Sequence, residues 1–68
     1  MKQTNKKLED YKQIYLDALA NNNDRFDEIT LGENIGLNNI ETNELIEILL
    51  NENLIEHKSF GLCSFRKL

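Results

Sequence analysis

Apolar residues in the first third of the chain recur at three- and four-residue steps, the period of an amphipathic helix. The members of this stripe are Leu8, Tyr11, Tyr15, Ala18 and Leu19, with Ile14 and Leu16 beside them. Residues 21–24 read Asn-Asn-Asn-Asp. These residues favour a turn because their short side chains bond to nearby backbone and tolerate left-handed geometry. The pattern predicts a first helix over residues 5–21.

A capping residue and a glycine indicate a second helix. Asp27 carries a short acidic side chain, and such a side chain accepts hydrogen bonds from the backbone amides of a first helical turn. Gly36 follows nine residues later, and glycine adopts the backbone geometry that ends helices. The sequence therefore predicts a short helix over residues 27–35.

The third helix carries both a start signal and a stop signal. Asn38 with Glu41 three residues later approximates a capping box, in which two side chains reciprocally bond backbone amides at a helix start. Asn53 lies where a left-handed cap would end the helix. These signals predict a third helix over residues 39–52.

The end of the chain has a strand-like pattern. Residues 55–58 and 62–67 are two short stretches separated by Ser59-Phe60-Gly61, which is typical of a hairpin. The expected fold is therefore α+β and mostly helical, with three helices and a two-stranded hairpin in one domain, residues 1–68. A three-helix bundle with a disordered tail is the alternative, but it does not account for the alternating, aromatic-bearing end. The predicted core consists of Leu31, Leu37, Leu45, Leu49, Ile55 and Phe65 with Tyr15, Leu19 and Phe26.

Length and composition limit the class of protein. Sixty-eight residues have room for one core, and 40% apolar with 29% charged residues is a globular balance. No apolar run approaches the roughly 20 residues that span a bilayer, and no signal-peptide stretch follows the first residues. We therefore expect a cytoplasmic protein with no membrane contact. Dimerisation would stabilise so small a core.

The joint between the second and third predicted helices resembles the winged helix-turn-helix family of bacterial transcription regulators. The resemblance runs from Phe26 to about Phe65. Its pattern of apolar, small and turn residues is Leu31, Gly32, Ile35, Gly36 and Leu37. Thr42, Leu45 and Leu49 match the positions of the third helix that face the core, and Leu54-Ile55 matches the apolar lead into the wing.

Both glycines have a physical role in that pattern. The third helix crosses closely above the small residue, here Gly32, and Gly36 permits the sharp turn between the helices. The resemblance implies a winged helix-turn-helix domain whose hairpin is the wing. It also implies DNA binding and transcription regulation.

The charge pattern opposes DNA contact through the third helix. Nine acidic residues but only one basic residue, Arg25, lie between Asp24 and Glu56. The outward face of the third helix, which family members present to DNA, consists of Asn43, Glu44, Glu47 and Asn51. Carboxylates on such a face repel phosphates.

The first hypothesis is a small DNA-associated regulator that contacts DNA through its wing and N-terminal arm. Basic residues flank the motif on both sides, because Lys2, Lys6, Lys7 and Lys12 precede it and Lys58, Arg66 and Lys67 lie in the wing. The candidate nucleic-acid contacts are Lys58, Arg66, Lys67, Lys6, Lys7 and Asn43. Of these, Asn43 is the residue type that reads adenine.

The second hypothesis is a protein-interaction module on the same scaffold. Its candidate contacts are Glu44, Glu47 and Asn51 on the third helix and Phe60 at the hairpin tip. Phe60 either packs on Leu62 or meets a partner. The sequence leaves both DNA and a protein open as partner, and the usual use of the fold places DNA first.

No catalytic, metal or cofactor site is expected. His57 beside Glu56 has the residue types of an acid-base couple, but neighbours on a strand point to opposite faces. Cys63 is the only cysteine, and with His57 it supplies two of the four ligands that structural zinc needs. We expect Cys63 to pack on the helices; a redox thiol would need a cation such as Arg66. The sequence therefore predicts a non-enzymatic binding protein.

Overall fold

Three helices followed by a small antiparallel sheet make up the fold in the computed structural model, which describes residues 3–68 and the side chains from Leu8 onward. The elements are α1 (Gln3–Ala20), α2 (Glu28–Asn34), α3 (Asn39–Asn51), β1 (Ile55–His57) and β2 (Phe65–Lys67). Each helix boundary lies within two residues of its predicted position. The predicted mostly helical α+β fold is confirmed, and the three-helix bundle with a disordered tail is wrong.

Asp27 and Asn38 cap the starts of α2 and α3, as the sequence predicts. The Asp27 carboxylate accepts a hydrogen bond from the Thr30 amide at 2.7 Å. At the start of α3 the Asn38 side chain accepts from the Glu41 amide at 2.8 Å, and the Asn38 amide donates to the Glu41 carboxylate at 3.0 Å. Gly36 has φ +100°, the geometry expected of it at the turn.

The core lies between α1 and the helix pair α2 and α3, and the hairpin covers one end of it. Its buried apolar residues are Leu8, Tyr15, Leu16, Leu19, Leu31, Leu37, Leu45, Ile46, Leu49, Ile55 and Cys63. The Tyr15 hydroxyl donates to the backbone carbonyl of Glu28 at 2.9 Å, which ties α1 to the first turn of α2. Burial also raises the pKa of Tyr15, so the hydroxyl stays a donor.

The closest approach between helices is that of α2 to α3. A Cβ on Gly32 would lie 1.9 Å from the Thr42 hydroxyl oxygen and 2.9 Å from the Thr42 Cβ. Thr42 is fully buried, and its hydroxyl has no hydrogen-bond partner among the described residues. The prediction that Gly32 lies under the third helix is confirmed.

One predicted core position, in the turn after α1, is wrong. Phe26 is 40% exposed. Ile14, which the sequence places beside the apolar stripe of the first helix, is 48% exposed. The buried residue of the turn is instead Asn22, whose amide side chain donates to the Phe26 carbonyl at 2.8 Å and accepts from the Phe26 amide at 3.1 Å. These two bonds use the Phe26 backbone to close the turn and leave the Phe26 ring toward solvent. Phe65 is half-buried and packs against the core.

The hairpin is shorter than the sequence predicts. The strands pair Ile55 with Lys67 and His57 with Phe65, and the Lys58 amide donates to the Ser64 carbonyl at 2.9 Å. The second strand therefore begins at Phe65 and not at residue 62, and residues 58–64 form the connection. The amides of residues 62–64 bond to acidic side chains outside the hairpin, so they are not available to pair with β1.

Candidate functional site

The outward face of α3 is acidic and solvent-exposed, as the helical pattern predicts. Asn43, Glu44, Glu47 and Asn51 are all exposed. Within the described part of the chain, neither Glu44 nor Glu47 makes an ion pair or a side-chain hydrogen bond. The Asn43 amide donates to the Asn39 side chain at 3.2 Å, one turn earlier on the same helix. This face therefore carries two carboxylates that no cation in the described part of the chain neutralises.

A groove separates this face from the hairpin, and we refer to it as the α3–hairpin groove. Its volume is about 340 Å³. Its lining consists of Asn43, Glu44, Ile46, Glu47 and Leu50 from α3 with His57 and Phe65 from the two strands. The His57 and Phe65 rings lie 4.6 Å apart between centroids at a tilt of 43°. The groove thus combines buried or half-buried apolar side chains with an exposed acidic rim.

Two of the three predicted wing cations are paired with carboxylates of the chain itself. The Lys58 Nζ lies 2.8 Å from an Asp24 carboxylate oxygen, and the Lys58 side chain is only 13% exposed. Arg66 pairs with Glu56 across the sheet. Lys67 donates to the Leu68 carbonyl at 3.3 Å and makes no ion pair with a described residue. The hairpin therefore offers much less free positive charge than its sequence indicates.

The backbone amides of the hairpin loop also bind carboxylates from elsewhere in the chain. Asp24 accepts from the Leu62 amide at 3.1 Å and from the Cys63 amide at 3.0 Å. Glu28 accepts from the Ser64 amide at 3.0 Å. Successive backbone amides form an anion-binding concavity, and here the anions are these two side chains. Hydrogen bonds from Lys58 and from the Cys63 amide hold the pKa of Asp24 below its ordinary value.

Backbone geometry fixes the position of Asp24. Its φ is +64°, a left-handed conformation that aspartate tolerates better than most residues. Gly61 in the facing loop has φ +84°, and a Cβ there would lie 2.0 Å from the Asp24 carboxylate. Only glycine at this position lets the loop approach the carboxylate so closely.

The other basic residues of the chain fall into three groups. Lys12 lies 2.8 Å from Glu52 and 3.5 Å from Glu9, and the hydrogen bond that Lys12 donates to Glu52 raises the pKa of Lys12. Arg25 is exposed and pairs with no carboxylate in the described region. Lys2 and the side chains of Lys6 and Lys7 lie outside the described residues.

Phe60 is 67% exposed at the hairpin tip, and Leu62 beside it is 59% exposed. The Lys58 Nζ lies 5.1 Å from the centre of the Phe60 ring, within the range of a cation–π contact. Phe60 therefore stays at the surface, on the side of Lys58.

The histidine and the cysteine are held in separate environments. Glu56 pairs with Arg66, whereas the His57 ring lies against the Phe65 ring at a tilt, so Glu56 and His57 do not form an acid-base couple. Cys63 is buried, its thiol donates to the Phe65 carbonyl at 3.3 Å, and burial raises the pKa of that thiol. A protonated buried thiol is a poor nucleophile and a poor metal ligand. In residues 3–68 no group of three His, Cys, Asp or Glu side chains is placed to hold a metal ion.

Sequence reasoning missed the role of Asp24 and Glu28. The Asn-rich turn was predicted from local propensity, which says nothing about contacts with a loop almost forty residues away. The only local sign was an acidic residue in a turn that tolerates left-handed geometry. The α3–hairpin groove was also missed, because it depends on how the hairpin lies against α3.

Comparisons of the chain with protein-family models, with curated proteins and with solved structures give no match. Among the described helices, none combines the length and the apolar character that crossing a membrane requires.

Proposed function

We propose that this chain is a non-enzymatic winged helix-turn-helix module that binds a protein partner through the acidic outward face of α3. The order of helices and hairpin supports the scaffold assignment. So do the close contact of Gly32 with Thr42 and the turn at Gly36, because both glycines satisfy the demands of that motif.

The distribution of ion pairs is the observation that carries the proposal. Glu44 and Glu47 are exposed and have no cation partner among the described residues, whereas Lys58 and Arg66 already pair with carboxylates of the chain. A DNA phosphate approaching the wing would have to compete with Asp24 and Glu56, and one approaching α3 would meet uncompensated negative charge. A positively charged partner would instead be attracted to the unpaired carboxylates of α3.

Acidic residues on the rim of an interface act mainly on association rate and partner choice. Complementary charge steers encounter and suppresses wrong partners, while the apolar centre of the patch supplies most of the affinity. The α3 face has both parts, since the exposed glutamates border the apolar lining of the groove.

The proposal is tested by capture from a nuclease-treated lysate of the source cell, with the full chain immobilised. The double variant Glu44→Gln with Glu47→Gln removes two charges from the α3 face without a change of shape. The matched control is Asp10→Asn with Glu33→Gln, which removes the same charge from exposed positions on α1 and α2. We expect the α3 variant to lose captured protein and the control to retain it. Equal capture by both variants would overturn the proposal.

A further inference from the structure

The geometry points to a specific occupant of the α3–hairpin groove: a cationic segment of a partner protein that inserts one apolar side chain between α3 and the hairpin. This inference rests on the proposed function and names the chemistry that the α3 face recognises. Two independent features of the groove, its apolar lining and its charge, define the occupant.

The apolar part of the groove has room for an anchor side chain. Ile46 is buried, and Leu50 and Phe65 are half-buried. An apolar side chain placed between them would cover the parts of Leu50 and Phe65 that are still exposed. A volume of about 340 Å³ lies near the lower end of the roughly 300–1,000 Å³ typical of ligand pockets. That space suits one or two side chains better than a whole cofactor.

The charged part of the groove selects the residues on either side of the anchor. Glu44 and Glu47 are three residues apart on α3, so their Cβ atoms lie about 5–6 Å from each other on one face. Both line the groove, and neither is neutralised by a described residue. Lysine or arginine flanking the anchor would meet these carboxylates, and arginine would bind a carboxylate through two parallel hydrogen bonds.

The same features exclude an anionic occupant. Among residues 8–68, whose side chains the structure describes, the polar lining besides the glutamates is Asn43 and the His57 ring, and none of the lysines or arginines there lines the groove. An acidic peptide or a nucleic-acid phosphate would therefore be placed against two carboxylates with no compensating cation. The negative charge of the groove thus selects a positively charged protein segment as its occupant.

The test is an NMR titration of the isotope-labelled full chain with short synthetic peptides. The cationic probe carries a central leucine flanked by arginines on both sides. One matched peptide replaces the leucine with serine, and another replaces the arginines with glutamates. We expect the cationic probe to shift the amide signals of Ile46, Leu50, His57 and Phe65, and we expect neither matched peptide to do so at equal concentration.

The variants used for the proposed function serve here as well. Glu44→Gln with Glu47→Gln should weaken binding of the cationic probe roughly three- to tenfold, as expected for two exposed ion pairs. The control Asp10→Asn with Glu33→Gln should bind the probe as the parent does. Because all four residues are exposed, loss of folding does not confuse the comparison.

Three results would overturn the inference. One is an unshifted groove with the cationic probe, and another is equal affinity for the parent and the α3 variant. The third is concentration-dependent self-association by sedimentation that the α3 variant abolishes, which would make a second copy of this chain the occupant. If lysate capture still depends on Glu44 and Glu47 while the peptide leaves the groove unshifted, the proposed function stands and the groove assignment falls.

Discussion

At the scale of single residues, the fold depends on two places where a side chain would not fit. Gly32 faces Thr42, and Gly61 faces Asp24. The first is a helix-helix contact that the sequence motif predicts. The second is a contact between loops distant in sequence, which no local pattern indicates. In both places the backbone approaches so closely that a methyl group meets a neighbouring atom.

Gly32→Ala tests the first contact. Alanine is the better helix former by about 1 kcal/mol, yet its Cβ would lie 1.9 Å from the Thr42 hydroxyl. We expect the variant to lower the free energy of unfolding by about 1–3 kcal/mol, as overpacking does, and Gly32→Leu to disrupt packing further. Urea denaturation measures both. Adding Thr42→Ala, which removes the two nearest atoms, should recover part of the loss, and a variant more stable than the parent would show the close crossing to be wrong.

Asp24 tests the second contact through pH. Its folded-state pKa is lowered by Lys58 and the Cys63 amide, so its contribution to stability is present above the ordinary aspartate range and is lost as pH falls through the folded value. As pH falls below the ordinary aspartate range, we expect the Leu62 and Cys63 amides to lose protection, measured as their exchange rate relative to the intrinsic rate at each pH. Asp24→Asn, which keeps left-handed geometry accessible, should show fast exchange of these amides at neutral pH. Asp10→Asn should not, and slow exchange in Asp24→Asn would contradict the assigned role.

At the scale of elements, the hairpin depends on the helices. Its strands have three residues each, and an isolated two-stranded hairpin is marginal in water. Ile55 anchors it by burial, and the Leu54 amide donates to the Leu49 carbonyl at 3.0 Å. The carboxylates of Asp24 and Glu28 hold the loop at the other end. Contacts with α3 at one end, and with the turn after α1 and the start of α2 at the other, therefore fix the hairpin.

Helix α3 supplies the centre of this arrangement. Leu45 and Leu49 are fully buried, and removing a buried leucine side chain costs roughly 2–5 kcal/mol. Since a domain of this size has about 3–5 kcal/mol in total, Leu45→Ala or Leu49→Ala should be largely unfolded by circular dichroism at room temperature. Glu47→Ala on the exposed face of the same helix serves as control. Cooperative, native-like melting of both leucine variants would mean that α3 has the wrong face inward.

At the scale of the whole molecule, sequence patterns predicted what is local and missed what is distant. Helical periodicity and caps such as Asn38 with Glu41 act within a few residues, so the three helices could be placed. The length of β2 depends on amides that bond to Asp24 and Glu28, and the exposure of Phe26 depends on the buried Asn22. Tertiary contacts therefore determine both the length of β2 and the exposure of Phe26, against the local sequence preference.

The candidate site likewise has one part that the local sequence predicts and one part that depends on contacts between distant residues. The acidic face with Glu44 and Glu47 follows from helical geometry alone, and it was predicted. The neutralisation of Lys58 by Asp24 could not be predicted, because the two residues lie 34 positions apart in the sequence. The composition of the hairpin indicates a cationic surface, but because of this long-range pairing most of that charge is compensated within the molecule.

Binding of mixed-sequence duplex DNA at low and at moderate salt is the most direct test of that compensation. Each phosphate contact contributes a slope of about 0.9 in the logarithm of affinity against the logarithm of salt. We expect the parent chain to show no salt-sensitive binding, and the triple variant Lys58→Ala, Arg66→Ala and Lys67→Ala to behave like the parent. Tight binding by the parent that weakens steeply with salt, and that the triple variant loses, would contradict the account and make the hairpin a DNA-binding surface.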